Sequence, residues 1–294
     1  MLLPRFNYHE PKSLAEAAEI MDACQAKARI LAGGTDLLVN LKKGAVSLEE
    51  VVYLGRVPGL AAIDYVDGDI KIGPMVTAAA LVRAASNLDP AAALVEAAGR
   101  LGSPLVRNRA TLGGNVVTAR PAADTAPPLM ALDARLTLTS KEKERQVSIN
   151  EVFTGPGQTV LEPSEILSAI TIPDLGPGCG SAYLKLGSRR SLEISIVNVA
   201  AFLQMDQDGT VKTARLVMGA VGPTPLRAKI AEGLIEGERP KGINDPIFVG
   251  ASMVAVDEAS PIDDHRGSAE YRKMMIEVLT KRALGQAWLN AKGM

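Results

Sequence analysis

Two double-glycine turns constrain this 294-residue chain more than any other feature of its sequence. The first, Gly33-Gly34, stands between a predicted strand and a predicted helix, and the second is Gly113-Gly114. Glycine lets the backbone approach a ligand closely, because no Cβ intervenes and a positive φ costs little. Amides exposed at the start of a following helix can then hold phosphate oxygens. For either turn taken alone, a purely structural role explains the glycines equally well.

The surroundings of the two turns favour one diphosphate ligand clasped by both. Hydroxyl and amide side chains flank the second turn at Thr111 and Asn115, and two arginines, Arg107 and Arg109, precede it. Neither turn matches the GxGxxG pattern of dinucleotide-binding Rossmann folds or the GxxxxGK[ST] pattern of P-loops. The sequence therefore predicts a diphosphate cofactor that is held in a different way.

The remaining patterns predict an α+β protein whose last third forms a separate domain beyond a linker at 173–180. Ser13–Glu16 has the form of a capping box, and Asp67-Gly68 predicts a hairpin. The predicted strands are Arg29–Ala32, Val51–Leu54, Ala62–Val66, Asp69–Ile72, Leu136–Ser140, Arg145–Ile149, Ala182–Gly187, Ile196–Met205 and Val211–Gly219. The predicted helices follow Ser13, run from Thr35 or Asp36 to Lys43, and span Thr77–Ser86, Ala91–Gly102, Leu226–Glu236 and Ala269–Ala291.

Composition excludes several classes of function. With 32 basic and 33 acidic residues, the chain has no extended positive potential that would attract nucleic acid or an anionic membrane. No apolar run approaches the length of a bilayer span, and residues 1–10 lack the apolar core of a secretory signal, so a cytoplasmic location is expected. Cys24 and Cys179 are the only cysteines. A disulfide framework or an all-cysteine iron–sulfur cluster within the chain is therefore excluded.

Seven motifs, in order along the chain, make the sequence recognisable. They are AGGTDLL at 32–38, RNRATLGGN at 107–115, PAAD at 121–124, GPGQTVL at 155–161, EIL at 165–167, YLKLGSRR at 183–190 and SAEYRK at 268–273. Together they closely resemble the FAD-binding medium subunit of the xanthine dehydrogenase and carbon monoxide dehydrogenase family, the molybdenum hydroxylases. Any single glycine turn is unspecific, whereas the ordered combination is highly specific.

The resemblance implies a two-subdomain FAD-binding fold of the vanillyl-alcohol oxidase or PCMH type, with a C-terminal α+β domain that closes over the flavin. The expected limits are residues 1–55 and 56–174 for the two subdomains and 175–294 for the C-terminal domain, which resembles that of CO dehydrogenase flavoproteins. FAD is expected to be bound non-covalently, because neither His9 nor His265 lies near the turns.

The resemblance also implies the residues that contact FAD. Backbone amides of the two turns would hold the diphosphate, Asp124 would lie beside the adenosine half, and Lys185 would lie near the flavin ring. The expected cofactor-binding residues are Ala32, Gly33, Gly34, Thr35, Asp36, Leu37, Leu38, Gly102, Ser103, Thr111, Gly113, Gly114, Asn115, Asp124, Leu167 and Lys185. No catalytic or metal-ligating residue is expected in this chain.

Ordinary structural roles compete with several of these assignments. Asp124 is equally suited to cap a helix. Gly102 and Ser103 fit a helix stop, and Leu167 fits an ordinary core position. Lys185 fits the exposed face of a strand. Leu105 and Arg120 stand where relatives often carry glutamine and serine. The resemblance therefore does not assign the residues around the flavin ring in detail.

By resemblance, the organic substrate is oxidised at a molybdenum cofactor in a large partner subunit. Electrons then pass through [2Fe-2S] clusters in a small partner subunit to FAD and on to an external acceptor, within a dimer of heterotrimers. Two alternatives remain at this stage: a stand-alone flavin-dependent oxidase or dehydrogenase, and a non-catalytic assembly subunit that has lost FAD.

Overall fold

The computed structural model describes residues 3–189 and 193–293, so Arg190 at the end of the YLKLGSRR motif lies outside the described residues. Within these ranges, three sheets of three or more strands follow one another along the chain, and a fourth sheet is a two-stranded pair. The first is parallel, with strand order β1-β3-β2, and its elements are β1 Asn7–His9, α1 Leu14–Cys24, β2 Ala28–Leu31, α2 Leu37–Lys42 and β3 Glu50–Tyr53. Helix α1 begins where the Ser13 hydroxyl accepts the Glu16 amide, as the capping pattern predicts.

The second sheet is antiparallel, with strand order β4-β5-β10-β6-β7. Its strands are β4 Ile63–Val66, β5 Asp69–Ile72, β6 Arg135–Thr139, β7 Glu144–Ser148 and β10 Ile166–Ile172, with the separate pair β8 Phe153–Gly155 and β9 Gln158–Thr159. The helices that precede β6 are α3 Ala78–Arg83, α4 Ala92–Arg100, α5 Pro104–Arg107, α6 Leu112–Thr118 and α7 Ala126–Ala131. Asp67 and Gly68 both have positive φ, so the predicted β4–β5 hairpin turn is confirmed.

The third sheet is antiparallel, with strand order β11-β12-β13-β14. Its elements are β11 Cys179–Leu186, β12 Val197–Met205, β13 Val211–Gly219, β14 Leu226–Arg227, α8 Lys229–Ile235, α9 Pro246–Glu258 and α10 Ala269–Ala291. Strand β12 is buried on both faces. Val199 and Ala201 pack towards the three helices, whereas Ala200 and Phe202 join the core of the second sheet. The third sheet is thus a layer between its own helices and the rest of the molecule.

The hydrophobic cores cross the expected domain limits. Ile166 of β10 packs with Ala17, Val52 and Leu54 in the core of the first sheet. Tyr183 of β11 belongs to the core of the second sheet. The limits 1–55, 56–174 and 175–294 therefore stay a prediction, and the three parts share side chains along both borders.

Several local predictions are wrong. Asp124 does not cap α7, which begins after Thr125 without a side-chain cap. Residues Leu226–Arg227 form β14, because they pair with Val217 and Met218 of β13, and the helix begins only at Lys229. The sequence patterns also missed α9, which is apolar on all sides, and β10, where a register shift interrupts the alternation expected of a strand.

We expect Gly180→Ala to destabilise the fold, because β11 and α10 touch at this glycine. A Cβ there would lie 2.1 Å from the Ala291 nitrogen and 2.3 Å from the Ala287 oxygen. The expected loss is about 1–3 kcal/mol, the usual cost of overpacking, measured by denaturant unfolding. Gly233→Ala in α8 is the matched control, since its Cβ would meet nothing within 4 Å. The control should be neutral or stabilising by up to about 1 kcal/mol. Equal stability of both variants would contradict the close contact.

Candidate functional site

The two glycine turns lie against each other. A Cβ on Gly33 would stand 1.9 Å from the carbonyl oxygen of Arg109, and one on Gly113 would stand 2.5 Å from the Pro74 Cβ. Thr77 and Thr111 also pair as a single antiparallel β-bridge, which holds the start of the second turn in place. Glycine is needed at both positions because any side chain would separate the backbones. The contact brings residues 32–37 and 111–118 to one cleft.

The first turn presents backbone donors. Gly34 has φ of +74°, a conformation that glycine adopts without strain. Among residues 3–189 and 193–293, no acceptor is found for the amides of Gly34, Thr35, Asp36 and Leu37. Backbone amides are strong donors that normally find a partner. This group of four is therefore suited to bind an anion.

The second turn differs from the expectation, because its amides already have partners. The amide of Gly113 donates to the Pro74 oxygen (2.9 Å), that of Gly114 to the Thr111 hydroxyl (3.1 Å), and that of Asn115 to the Thr111 oxygen (3.0 Å). These three amides are therefore not open in the way that those of the first turn are, and their contact with the diphosphate stays a prediction. The second turn offers the cleft side chains and space instead.

Asn115 is the best-placed side chain of this second turn. Its Oδ1 accepts from both the amide (3.3 Å) and the hydroxyl (2.6 Å) of Thr125, and its amino group has no acceptor among the described residues. One turn further on, Thr118 donates its hydroxyl to the Gly114 oxygen at 2.6 Å. Gly114 itself is open: its Cβ would meet only the Thr111 hydroxyl at 2.8 Å and the Ala32 Cβ at 3.9 Å. No backbone contact accounts for this glycine.

The cleft consists of two cavities that meet at the turns. The first, of about 290 Å³, lies between the first and second sheets and is lined by Ile30, Leu54, Met75 and Leu167, among others. The second, of about 700 Å³, lies mainly between residues 101–124 and the loops and α10 of the C-terminal part, and we call it the interdomain cavity. Four residues line both: Asp36, Leu101, Asn115 and Thr118. A long ligand held at the turns can therefore extend in both directions.

The structure gathers most of the predicted residues around this cleft. Those at the first cavity are Ala32, Gly33, Gly34, Thr35, Asp36, Leu37, Thr111, Gly113, Gly114, Asn115 and Leu167. Gly102 and Asp124 line the interdomain cavity. Leu38, Ser103 and Lys185 line neither cavity. Leu38 packs beneath Gly34, and the Ser103 hydroxyl caps α5 by accepting the Val106 amide.

Asp124 and Lys185 form a buried ion pair. Lys185 Nζ lies 2.8 Å from Asp124 Oδ2, and their side chains are 5% and 8% exposed. Asp124 Oδ1 also accepts from the Tyr183 hydroxyl at 2.7 Å and the Ser195 hydroxyl at 2.9 Å. Burial, together with the Asp124 carboxylate, raises the pKa of Tyr183 well above its ordinary value, so this phenol is a neutral donor. The network joins α7 to the third sheet.

This pair corrects two expectations. Residues in contact cannot flank opposite ends of FAD, so Asp124 and Lys185 belong to the same end of the cleft. Lys185 is not exposed either, and its three donors bind Asp124, the Arg100 oxygen (3.1 Å) and the Glu193 oxygen (3.0 Å). Its charge is neutralised behind the wall of the cavity and does not face a ligand directly.

A second ion pair supports the floor of the first cavity, and the sequence patterns missed it. Glu165, which is 4% exposed, receives Arg145 Nε at 2.6 Å and Nη2 at 2.8 Å. The hydrogen bond from Arg145 holds the pKa of Glu165 below its usual value in spite of burial. Arg145 also binds the Val160 oxygen, which fixes the chain before Ile166 and Leu167. Only its place in the EIL motif pointed to Glu165.

The two departures from the family pattern lie in different surroundings. Leu105 is 81% exposed on α5 and lines neither cavity. Arg120 lines the interdomain cavity. Within the described ranges, no group of three or more His, Cys, Asp or Glu side chains is arranged to hold a metal ion. No helix in the described part of the chain is long and apolar enough to span a membrane.

Comparisons with known proteins agree with these motifs. Residues 4–175 match the family described as FAD binding domain in molybdopterin dehydrogenase, and residues 182–287 match the CO dehydrogenase flavoprotein C-terminal domain. A xanthine dehydrogenase FAD-binding subunit of Escherichia coli is 32% identical over 98% of this chain and 97% of its own length. A solved carbon monoxide dehydrogenase chain from Hydrogenophaga pseudoflava superposes with a TM-score of 0.93, at 31% identity and 99% coverage of both chains. A chain of quinoline 2-oxidoreductase from Pseudomonas putida 86 gives a TM-score of 0.90, at 28% identity, covering 100% of this chain and 99% of its own.

We expect Lys185→Met to destabilise the protein by about 3–5 kcal/mol, because it leaves the Asp124 carboxylate buried without its cation. Lys27→Met is the matched control. Lys27 pairs with Glu49 on the surface, where its side chain is 67% exposed, so the expected cost is below about 1 kcal/mol. Chemical unfolding monitored by circular dichroism measures both. Similar stabilities for the two variants would show that the buried pair does not connect α7 to the third sheet.

Proposed function

Because the chain belongs to the family of FAD-binding medium subunits of the xanthine dehydrogenase and carbon monoxide dehydrogenase type, we propose that it binds FAD non-covalently in the two joined cavities and relays electrons for a molybdenum-dependent hydroxylase or dehydrogenase. The family makes it a flavoprotein subunit of an oxidoreductase. The residues that hold FAD and the route of the electrons are our proposal.

This proposal rests on the amides of the first turn, which have no acceptor among the described residues. They lie across the cleft from the free space beside Gly114. A diphosphate requires several donors within a short distance, and the amides of Gly34 to Leu37 have no acceptor among the described residues. The space beside Gly114 is free of backbone, so an oxygen can approach closely. The Asn115 amino group adds a donor from the other side. These residues fit the diphosphate of FAD.

The two cavities suit the two halves of the cofactor. We assign the adenosine half to the smaller cavity, where Leu167, Ile166 and Leu54 offer apolar surface and Glu165 is held by Arg145. We assign the flavin ring to the larger interdomain cavity, beside Gly102 and Asp124. Residues from both sides of the interdomain border line that cavity, so loops and α10 of the C-terminal part would shield the ring from water.

The role of the chain is to bind, orient and insulate FAD, which itself accepts electrons singly and can release them in pairs. The [2Fe-2S] clusters and the molybdenum cofactor are assigned to a small and a large partner subunit. The chain's two separate cysteines support that assignment, because they cannot form an all-cysteine cluster within this chain. A dimer of heterotrimers, which the resemblance implies, and a cytoplasmic location are also parts of the proposal.

We expect Gly114→Val to abolish FAD retention, because the side chain fills the space beside the turn and displaces the Thr111 hydroxyl. Gly233→Val is the matched control, since its Cβ would meet nothing within 4 Å. Flavin is measured in the supernatant after acid precipitation, which should release all of it from the unchanged chain. Full retention by a folded Gly114→Val protein would contradict the cradle. Colour left in the washed pellet would contradict non-covalent binding.

We further expect the purified chain to contain FAD and yet to oxidise no aldehyde, purine or aromatic heterocycle by itself. The substrate reaction belongs to the molybdenum subunit, so adding both partners should restore reduction of the flavin. The absorbance of FAD under anaerobic conditions measures this. If a substrate bleached the flavin of the isolated chain, the protein would be a stand-alone enzyme. If the isolated chain bound no FAD, it would be an assembly subunit.

A further inference from the structure

One carboxylate forms ion pairs with two arginines on the wall of the interdomain cavity. Asp264 Oδ2 receives Arg266 Nη2 at 2.6 Å and Nε at 3.1 Å, and its Oδ1 receives Arg272 Nη2 at 2.7 Å. Burial by itself would raise the pKa of Asp264, but hydrogen bonds from Arg266 and the charge of Arg272 hold it well below the usual range. The group therefore contains one negative and two positive charges, and its net charge is about +1. We call it the Arg–Asp–Arg cluster.

The two arginines have different roles. Arg272 is 2% exposed and also donates to the carbonyl oxygens of Ile196 and Ala220, so it anchors α10 to the third sheet. The Arg266 side chain is 25% exposed and binds no described residue apart from Asp264. All three residues of the cluster line the cavity. Arg272 is thus needed to hold the fold together, whereas Arg266 adds a positive charge that no other described residue uses.

The other charged groups around the cavity do not add a net positive charge that is partly buried. The Asp124–Lys185 pair is neutral as a unit. Glu193 is bonded by Arg189, whose side chain is 69% exposed. Arg120 and Asp36 also line the cavity, and they have opposite signs. Among the described residues of the cavity wall, the cluster is therefore the partly buried source of net positive charge. Lys185, which the resemblance places near the flavin ring, is neutralised by Asp124.

We propose that the Arg–Asp–Arg cluster stabilises reduced FAD electrostatically and raises its reduction potential, with Arg266 as the residue that sets the effect. This inference rests on the proposed function, which assigns the flavin ring to the interdomain cavity. Two-electron reduction at neutral pH takes up two electrons, delivered by the proposed iron–sulfur partner, and one proton, and it leaves one negative charge on the ring. A nearby net positive charge favours that product, and charge around the ring is one of the means by which a protein tunes a flavin. Partial burial limits screening by salt.

The test compares three variants of the FAD-loaded full chain. Arg266→Gln removes the excess charge and leaves the Arg272–Asp264 pair intact. It should shift the two-electron reduction equilibrium about tenfold towards oxidised FAD, which corresponds to a potential about 30 mV lower. Arg266→Lys keeps the charge and should stay close to the unchanged chain. Asp264→Asn raises the net charge and should shift the potential in the opposite direction to Arg266→Gln.

Arg239→Gln and Asp208→Asn are the charge-matched controls. Arg239 and Asp208 form a surface ion pair, and neither residue lines the cavity. Both controls should leave the potential unchanged. A merely structural cluster would make Arg266→Gln and Asp264→Asn shift the potential in the same direction, and that result would overturn the proposal. An unchanged potential in Arg266→Gln with FAD fully bound would also overturn it. If the unchanged chain took up no FAD at all, the proposed function would fail first, and this inference with it.

Discussion

The organisation of the cleft depends on one close approach of backbone to backbone. Gly33 lies so near the Arg109 carbonyl that a methyl group there would stand 1.9 Å from the oxygen. Gly113 makes a comparable contact with Pro74. The first contact joins the turn after β2 to the segment that leads into the second turn, and the second contact holds that second turn against the residues that follow β5.

The surroundings of the two turns make them chemically unequal. In the second turn, the amides of residues 113–115 already donate hydrogen bonds, because the turn packs against residues 74–77 and Thr111 caps the helix. In the first turn, the amides of residues 34–37 keep no acceptor among the described residues. One turn therefore supplies backbone donors, and the other supplies space and the Asn115 side chain. Two sequence patterns that look alike thus have different roles, because their surroundings differ.

Buried charge connects the third sheet to the rest of the molecule. Asp124 reaches Tyr183, Lys185 and Ser195 across the interdomain border, and Arg272 ties α10 to two carbonyl oxygens at the ends of β12 and β13. A buried carboxylate is stable only when its partners are complete, so these networks fix how the sheets face each other. They also decide which charges reach the cavity: the Asp124–Lys185 pair contributes none, and the cluster around Asp264 contributes about +1.

The sequence by itself determined the elements that depend on neighbours in the chain: the capped helix α1, the hairpin at Asp67-Gly68, the strand Val211–Gly219 and the helix Ala269–Ala291. It also determined the family, because seven motifs keep their order over nearly the whole chain. Only the tertiary structure decided the rest. Strand β14 exists because it pairs with β13, the Asp124 carboxylate binds residues 59–71 positions away in place of a helix end, and the excess cation is Arg266 and not Lys185. Local propensity and motif spacing describe how a segment behaves alone. Hydrogen-bond partners and net charge in a cavity depend on segments that are distant in sequence and meet only in the fold.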